Sequence, residues 1–292
     1  MKTKFRLLLG AVLALTAFVV FYACQKDSSV GSNSGIPPGK MKFSVLLTDG
    51  PYDFQKVLID IQGIAVKVDT CHRNGDPDHD DPGCDDHHDQ RASSCEYWDT
   101  LNIHPGVYDL LSLRNGLDTL LASDFLINGK IERIKFTLGT RDSVMVDSVM
   151  HPMNLIDHFN FVFVNIHREH LDSLSSDNFQ LYLDFDLAHS IFYFGGQYWL
   201  APVLRPFSIF SFGAIDGKIR PVHSFETVKA YNATDTAFAM PWDDGEFKIR
   251  GLQPGTYSLY IQGKNGYKDS TINNITVNKG RETNVGTIQL HQ

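Results

Sequence analysis

Apolar and polar positions alternate along much of this chain with a period of two, the pattern of strands half-buried in sheets. Phe43-Ser44-Val45-Leu46-Leu47 opens the first such run. Asp49-Gly50-Pro51 follows as a turn signal, in which Asp49 is expected to cap its own backbone. Val57 to Val68 is a long β-branched run, and Gly63 inside it predicts a bulge or bend. Ile131 to Leu138 reads as another strand. Phe159-Asn160-Phe161-Val162-Phe163-Val164 is apolar on both parities, which predicts a strand buried on both faces. Phe179, Leu181, Leu183 and Phe185 alternate with Gln180, Tyr182, Asp184 and Asp186, so the outer face of that strand ends in two carboxylates. Leu110, Leu113, Leu117 and Leu120 recur at helical spacing and predict one helical segment, which Asn115-Gly116 would split into two short turns.

Near Phe212 the texture changes to short strands with frequent glycine. Phe247 and Ile249 face one way, and Lys248 and Arg250 the other. Pro254-Gly255 makes a tight turn, after which Tyr257, Leu259 and Ile261 start the next inward face. The fold class is therefore mainly all-β, with two domains. A β-sandwich with one or two short helices spans 41–210, and a smaller β-sandwich spans 211–292.

The first 23 residues read differently. Lys2, Lys4 and Arg6 precede an apolar run from Leu7 to Ala23. A basic segment, an apolar core and a small residue make a secretory signal, and the core is short for a span of about 20 residues. Phe21-Tyr22-Ala23-Cys24 resembles a bacterial lipobox, although bulky Phe21 and Tyr22 depart from its usual residues. The resemblance implies lipidation at Cys24, and two or more acyl chains anchor stably. Residues 24–40 then form a Ser/Gly/Pro-rich tether with a reach of roughly 20–25 Å. Gln25-Lys26-Asp27 resembles the short charged signal that sends some lipoproteins to the outer face of the outer membrane. The expected location is thus outside the cytoplasm, lipid-anchored to the outer membrane and surface-exposed.

Without its first 23 residues the chain carries 23 basic and 34 acidic side chains, a net of −11. That argues against nucleic acid as a partner and against electrostatic adhesion to anionic lipid. Cations and neutral ligands remain. Cys71, Cys84 and Cys95 lie in one segment, and export permits a disulfide between two of them. All three pairings stay open.

Two resemblances add to this reading. Gly245-Glu246-Phe247-Lys248-Ile249-Arg250-Gly251-Leu252-Gln253-Pro254-Gly255-Thr256-Tyr257 resembles the signature of the carboxypeptidase regulatory-like domain. Ala214 to Ile219 and Thr276 to Gly280 fit its first and penultimate strands. The resemblance implies a transthyretin-like sandwich with no catalytic residues, in a fold group that includes carbohydrate-binding modules. The first domain resembles a family of unknown function common in bacterial surface lipoproteins. Its marks are Leu47-Thr48-Asp49-Gly50-Pro51, Val107 to Gly116, Ile131 to Phe136, Leu183 to Ile191 and Leu200 to Leu204.

Candidate chemistry is sparse. From Cys71 to Cys95, seven Asp, four His and two Arg place a formal −5 in 25 residues. Asp76, Asp78, His79, Asp80, Asp81, Asp85, Asp86, His87, His88 and Asp89 offer ligands for Ca2+ or Zn2+. The spacing is not an EF-hand, and a solvated loop between two strands explains the composition equally well. Asp184 and Asp186, on one strand face roughly 6.5–7 Å apart, are a candidate acid–base pair. Tyr198, Trp199 and Trp242 are candidates for a ligand face, on which sugars would stack. His167-Arg168-Glu169-His170 lacks metalloprotease spacing, and no G-x-S-x-G, P-loop or G-x-G-x-x-G occurs. No enzymatic activity is expected. The leading reading is a surface module that binds a glycan or a protein. The alternatives are a structural envelope lipoprotein with a calcium-binding loop, and a glycan hydrolase using Asp184 and Asp186.

Overall fold

A computed structural model describes residues 35–50, 54–71, 95–156 and 159–292. Pro37–Gln292 forms one compact unit, and it is all-β. The strands of its first part are β1 (Lys40–Gly50), β2 (Lys56–Asp69), β3 (Glu96–Thr100), β4 (Gly106–Asp109), β5 (Thr119–Ile127), β6 (Lys130–Leu138), β7 (Ser143–Val146), β8 (Val149–Leu155), β9 (Phe161–Asn165), β10 (Leu171–Ser175), β11 (Asn178–Asp186), β12 (Ile191–Phe194), β13 (Gln197–Leu200) and β14 (Leu204–Phe207). The second part holds β15 (Gly213–Arg220), β16 (Phe225–Tyr231), β17 (Thr236–Ala239), β18 (Glu246–Leu252), β19 (Gly255–Gly263), β20 (Ser270–Val277) and β21 (Glu282–Gln289).

The first part is a sandwich of two sheets. One runs β10-β11-β1-β5 with β14 beside β11, and the other runs β12-β13-β8-β7-β2-β6-β9 with β3 and β4 also on β2. Their inner faces share one core, in which Phe43, Leu47, Ile59, Phe136, Leu183 and Phe185 are fully buried. Gly63 sits at a register shift between β2 and β6, as its place inside the β-branched run predicts. The second part pairs the sheet β18-β15-β21 with the sheet β17-β16-β19-β20 around a separate core. Phe247, Ile249, Tyr257, Leu259 and Ile261 all enter that core. The Pro254 turn carries the chain from one sheet to the other, since β18 pairs with β15 and β19 with β16 and β20.

Four expectations are corrected. The leucine-spaced segment is a 3-10 turn at Leu110–Leu113, followed by Asn115 and Gly116 at positive φ and then by β5. Leu117 and Leu120 are exposed. β9 is not buried on both faces, because Phe163 lies on the outside of an edge strand and Phe159 is exposed just before it. Asp49 is not in a turn but in β1, and it is buried. The outer face of β11 is not open to water. Tyr182 and Asp186 on it are buried, because the second sandwich covers them.

That cover is a second, smaller cluster. Leu46, Tyr182, Phe207 and Phe212 pack together, and the Tyr182 and Phe207 rings stack at 5.4 Å. Arg250 of β18 lies over both rings and donates to the Thr48 hydroxyl at 3.1 Å. Asn115 donates to the Met240 carbonyl at 2.7 Å, and the Arg114 guanidinium lies 4.3 Å from the Trp242 ring.

Gly245 adopts φ 84, and a Cβ there would collide with the Ile219 carbonyl oxygen. Gly245→Ala is expected to lower unfolding stability by roughly 2–3 kcal/mol, read by chemical denaturation. A loss under about 0.5 kcal/mol would show that this turn shifts freely.

Candidate functional site

Where β1 and β11 end, parallel pairing sets Thr48 opposite Asp184 and Gly50 opposite Asp186. Side chains on paired positions share a face, so Asp184 looks out toward the second sandwich. Burial pushes its pKa up to about 7, against the opposing charges of Arg205 and Arg250, while Asp186 adds to the rise. Asp186 has a structural task. Its carboxylate accepts from the His189 backbone N–H at 3.3 Å and meets His189 Nδ1 at 2.8 Å, which caps the single helical turn Leu187–Ser190. Arg205 reaches Asp186 at 3.6 Å, donates to the Thr236 carbonyl at 2.8 Å and pairs with Asp235. One guanidinium thus ties β14 to the second sandwich.

Asp49 is the least satisfied group in this seam. It is 5% exposed, and neither carboxylate oxygen has a hydrogen-bond partner among the described residues. Burial raises its pKa well above the carboxylate range, the charges of Asp184 and Asp186 raise it further, and Arg114 opposes them. The Nε of Arg114 and one oxygen of Asp109 are likewise buried without partners. Burial without donors disfavours the charged form of a carboxylate. Asp184 lines a groove of about 450 Å3 with His170, Arg205 and Asp235, and a cavity of about 20 Å3 with Asp49. Asp186 is on the wall of neither.

The outer face of the nine-stranded sheet carries a different arrangement. β3, β2, β6 and β9 lie side by side, with Trp98 opposite Lys67, Lys67 opposite Arg133, and Lys135 opposite Phe163. Trp98 and Phe163 lean across the two strands between them to a ring separation of 5.8 Å. Phe161 continues the row at 5.2 Å from Phe163, and Phe159 at 5.7 Å from Phe161. Trp98, Phe163 and Phe159 are 48%, 45% and 63% exposed, so the row faces water. Lys135 Nζ stands 4.4 Å from the Phe161 ring, and the Arg133 guanidinium 5.5 Å from Phe163. Arg133 Nε also donates to Asn165 at 2.9 Å. Lys67 is neutralised by Glu96 and Glu132.

The residues singled out from the sequence fare unevenly. Cys24 lies outside the described residues, as do Cys84 and the ligand set Asp76, Asp78, His79, Asp80, Asp81, Asp85, Asp86, His87, His88 and Asp89. Cys71 and Cys95 form a disulfide with their Cα atoms 5.3 Å apart. Among the described residues no group of three His, Cys, Asp or Glu side chains is close enough to hold a metal ion. Tyr198 and Trp199 are half-buried on β13, whereas Trp242 belongs to the second sandwich and is covered on one side by Arg114. The Trp98 row went unread. Only the outward parity of Trp98 on β3 signals it, because its partners come from β9, far along the chain.

The family model described as a domain of unknown function, DUF4382, matches residues 40–202. The chain belongs to that family. The DUF4382 match ends between β13 and β14, before the second sandwich begins. No curated protein matches the chain. Among solved structures it is similar to the minor pilin GBS52 of Streptococcus agalactiae, at 12% identity over 86% of this chain and 95% of that one, with a TM-score of 0.22. It is also similar to the shaft pilin SpaA of Lactobacillus rhamnosus GG, at 9% identity over 86% and 98%, with a TM-score of 0.25. Likenesses this slight carry no argument about role.

A carboxyl whose folded pKa is raised binds its proton more tightly in the folded state. Its stabilising effect is full below the unfolded value near 4 and is lost as pH rises through the folded value. For Asp184 that window runs from about 4 to about 7. Asp60, lowered to about 2 by Arg141, changes nothing within it. Asp184→Asn is therefore expected to be about 1–2 kcal/mol more stable than the parent at pH 8 and nearly equal to it at pH 4. Denaturation curves at the two pH values decide this, and an equal shift at both would remove the assigned protonation.

Proposed function

We propose that this chain is an exported, lipid-anchored binding module without enzymatic activity, and that it holds a glycan on the Trp98–Phe163–Phe161–Phe159 row. The row itself carries the reading. Sugar rings present flat C–H faces that stack on aromatic rings, and their hydroxyls need donors and acceptors beside the rings. Lys135, Arg133 and Asn165 supply these at the edge of the row. The site is a flat strand face rather than a cleft, which suits an extended chain. Arg133 and Lys135, which pair with no carboxylate among the described residues, favour acidic sugars over neutral ones in a chain of net −11.

The anchor reading rests on Cys24 behind its apolar run. The second sandwich has two sheets of three and four strands, which supports the likeness to the carboxypeptidase regulatory-like domain. Its contribution here is to bury the carboxylate ends of β1 and β11.

On an array of acidic and neutral glycans, the protein is expected to bind an acidic subset. Trp98→Ala and Phe163→Ala should each weaken that binding at least fivefold with unchanged melting, since a stacking aromatic side chain carries about 1–3 kcal/mol. Binding that survives both substitutions would sink the glycan face. Separately, Cys24→Ala is expected to abolish acyl-chain labelling in cells and move the protein out of the membrane fraction. Unchanged labelling would refute the anchor.

A further inference from the structure

A second exposed aromatic surface has the opposite chemistry. β12 and β13 form an antiparallel pair with Phe192 opposite Trp199, Tyr193 opposite Tyr198 and Phe194 opposite Gln197. Gly195 and Gly196, at φ 62 and 80, make the turn. Ile191 and Leu200 end the buried part of the pair, and every residue from Phe192 to Gln197 is exposed. Phe194 is 72% exposed and Tyr193 63%, on opposite faces of one strand.

No charged residue occurs from Ile191 to Leu204. Gln197 is engaged by Asn154 at 3.2 Å, and the Trp199 indole donates to the Phe194 carbonyl at 3.1 Å. The polar groups a sugar would find here are few: the Gln197 and Asn154 amides, already bonded to each other, two tyrosine hydroxyls, and the His151 ring 5.2 Å from Tyr198. A flat protein partner would cover one face of the ribbon and leave the other in water. A medium that surrounds the tip covers both. Resting on the anchor proposed above, the body is also held close to such a medium, because only Gln25 to Lys40 separate Cys24 from it, a reach of roughly 20–25 Å.

We infer that the β12–β13 tip inserts into the interfacial layer of a lipid bilayer, with Phe194 and Tyr193 as the inserted side chains and Trp199 and Tyr198 at the headgroup level. Amphipathic aromatic rings favour that layer, and the absence of charge makes their insertion independent of lipid charge. The tip and the lipid anchor would then be two contacts with one membrane, which fixes the orientation of the body.

The test uses the compact unit Pro37–Gln292, which contains both cores and the seam and lacks the anchor. It is mixed with neutral phosphatidylcholine vesicles and floated on a density gradient, at low and high salt. Flotation that is unchanged by salt, and at least tenfold weaker in Tyr193→Ser/Phe194→Ser at unchanged melting temperature, supports the insertion. Quenching of Trp199 fluorescence by brominated acyl chains, measured with Trp98→Phe/Trp242→Phe, supports it independently. No flotation at millimolar lipid, or equal flotation of the double variant, overturns it. Sedimentation as a dimer that the double variant abolishes, without vesicle binding, also overturns it and assigns the tip to a second copy. Glycan binding through Trp98 is untouched by either result.

Discussion

β1 and β11 run parallel, most of their residues from Leu46 and Tyr182 onward are out of water on both faces, and a strand pair covered on both sides tolerates charge only where a countercharge or a proton is supplied. Its last residues are Asp49, Asp184 and Asp186. Arg205 on β14 meets Asp186, Arg205 and Arg250 of β18 place positive charge near Asp184, and burial without donors disfavours the charged form of Asp49. The arginines come from elements on either side of the boundary between the sandwiches. Neither sandwich can therefore separate without uncovering the Tyr182–Phe207 stack, parting Arg250 from Thr48 and Asp118, and parting Arg205 from Asp235. The two cores are distinct, yet the protein is one unit because the seam between them is where its charges are balanced.

Period-two patterning proved sufficient wherever one face of a strand meets a core and the other meets water. Phe247, Ile249, Tyr257, Leu259 and Ile261 are buried as their alternation requires. It misled where a third layer intervenes. Tyr182, Asp184 and Asp186 have the alternation of a solvated face, but alternation identifies the residues that share a face and not what lies on top of it. Asp49-Gly50-Pro51 has turn chemistry, yet pairing of β1 with β11 extends through Gly50, so tertiary contact overrides the local preference. The leucine spacing after Asp109 fits a helix only if Leu117 and Leu120 are buried, and positive φ at Asn115 and Gly116 turns the chain before they can be.

The candidate surfaces were legible in proportion to their locality. Tyr198 and Trp199 stand on a hairpin whose Gly-Gly turn is visible in the sequence, so an aromatic cluster there could be read directly. The Trp98 row needs β3 and β9 brought to opposite sides of the β2–β6 pair, a register that no local pattern encodes. The same distance hides the Arg250 contact with Thr48, which joins residues 202 apart.

Exposed aromatic rings alone do not name a ligand, and the two surfaces of this sheet show why their neighbours do. Beside Phe161 and Phe163 stand Lys135, Arg133 and Asn165, groups that stay solvated and offer directional bonds to a polar ligand at the ring edges. Around Phe194 and Tyr193 the Gln197 amide is met by Asn154 and the Trp199 indole by the Phe194 carbonyl, no charged residue occurs in the hairpin, and rings point out on both of its faces. The first arrangement loses little by remaining wet between binding events. The second gains only from a surrounding apolar phase, because hydrophobic burial scales with area removed from water on every side. Placed at opposite ends of the strand order, at β9 and at β12, the two surfaces let one edge of the sheet meet a membrane while the other stays open to a ligand in solution.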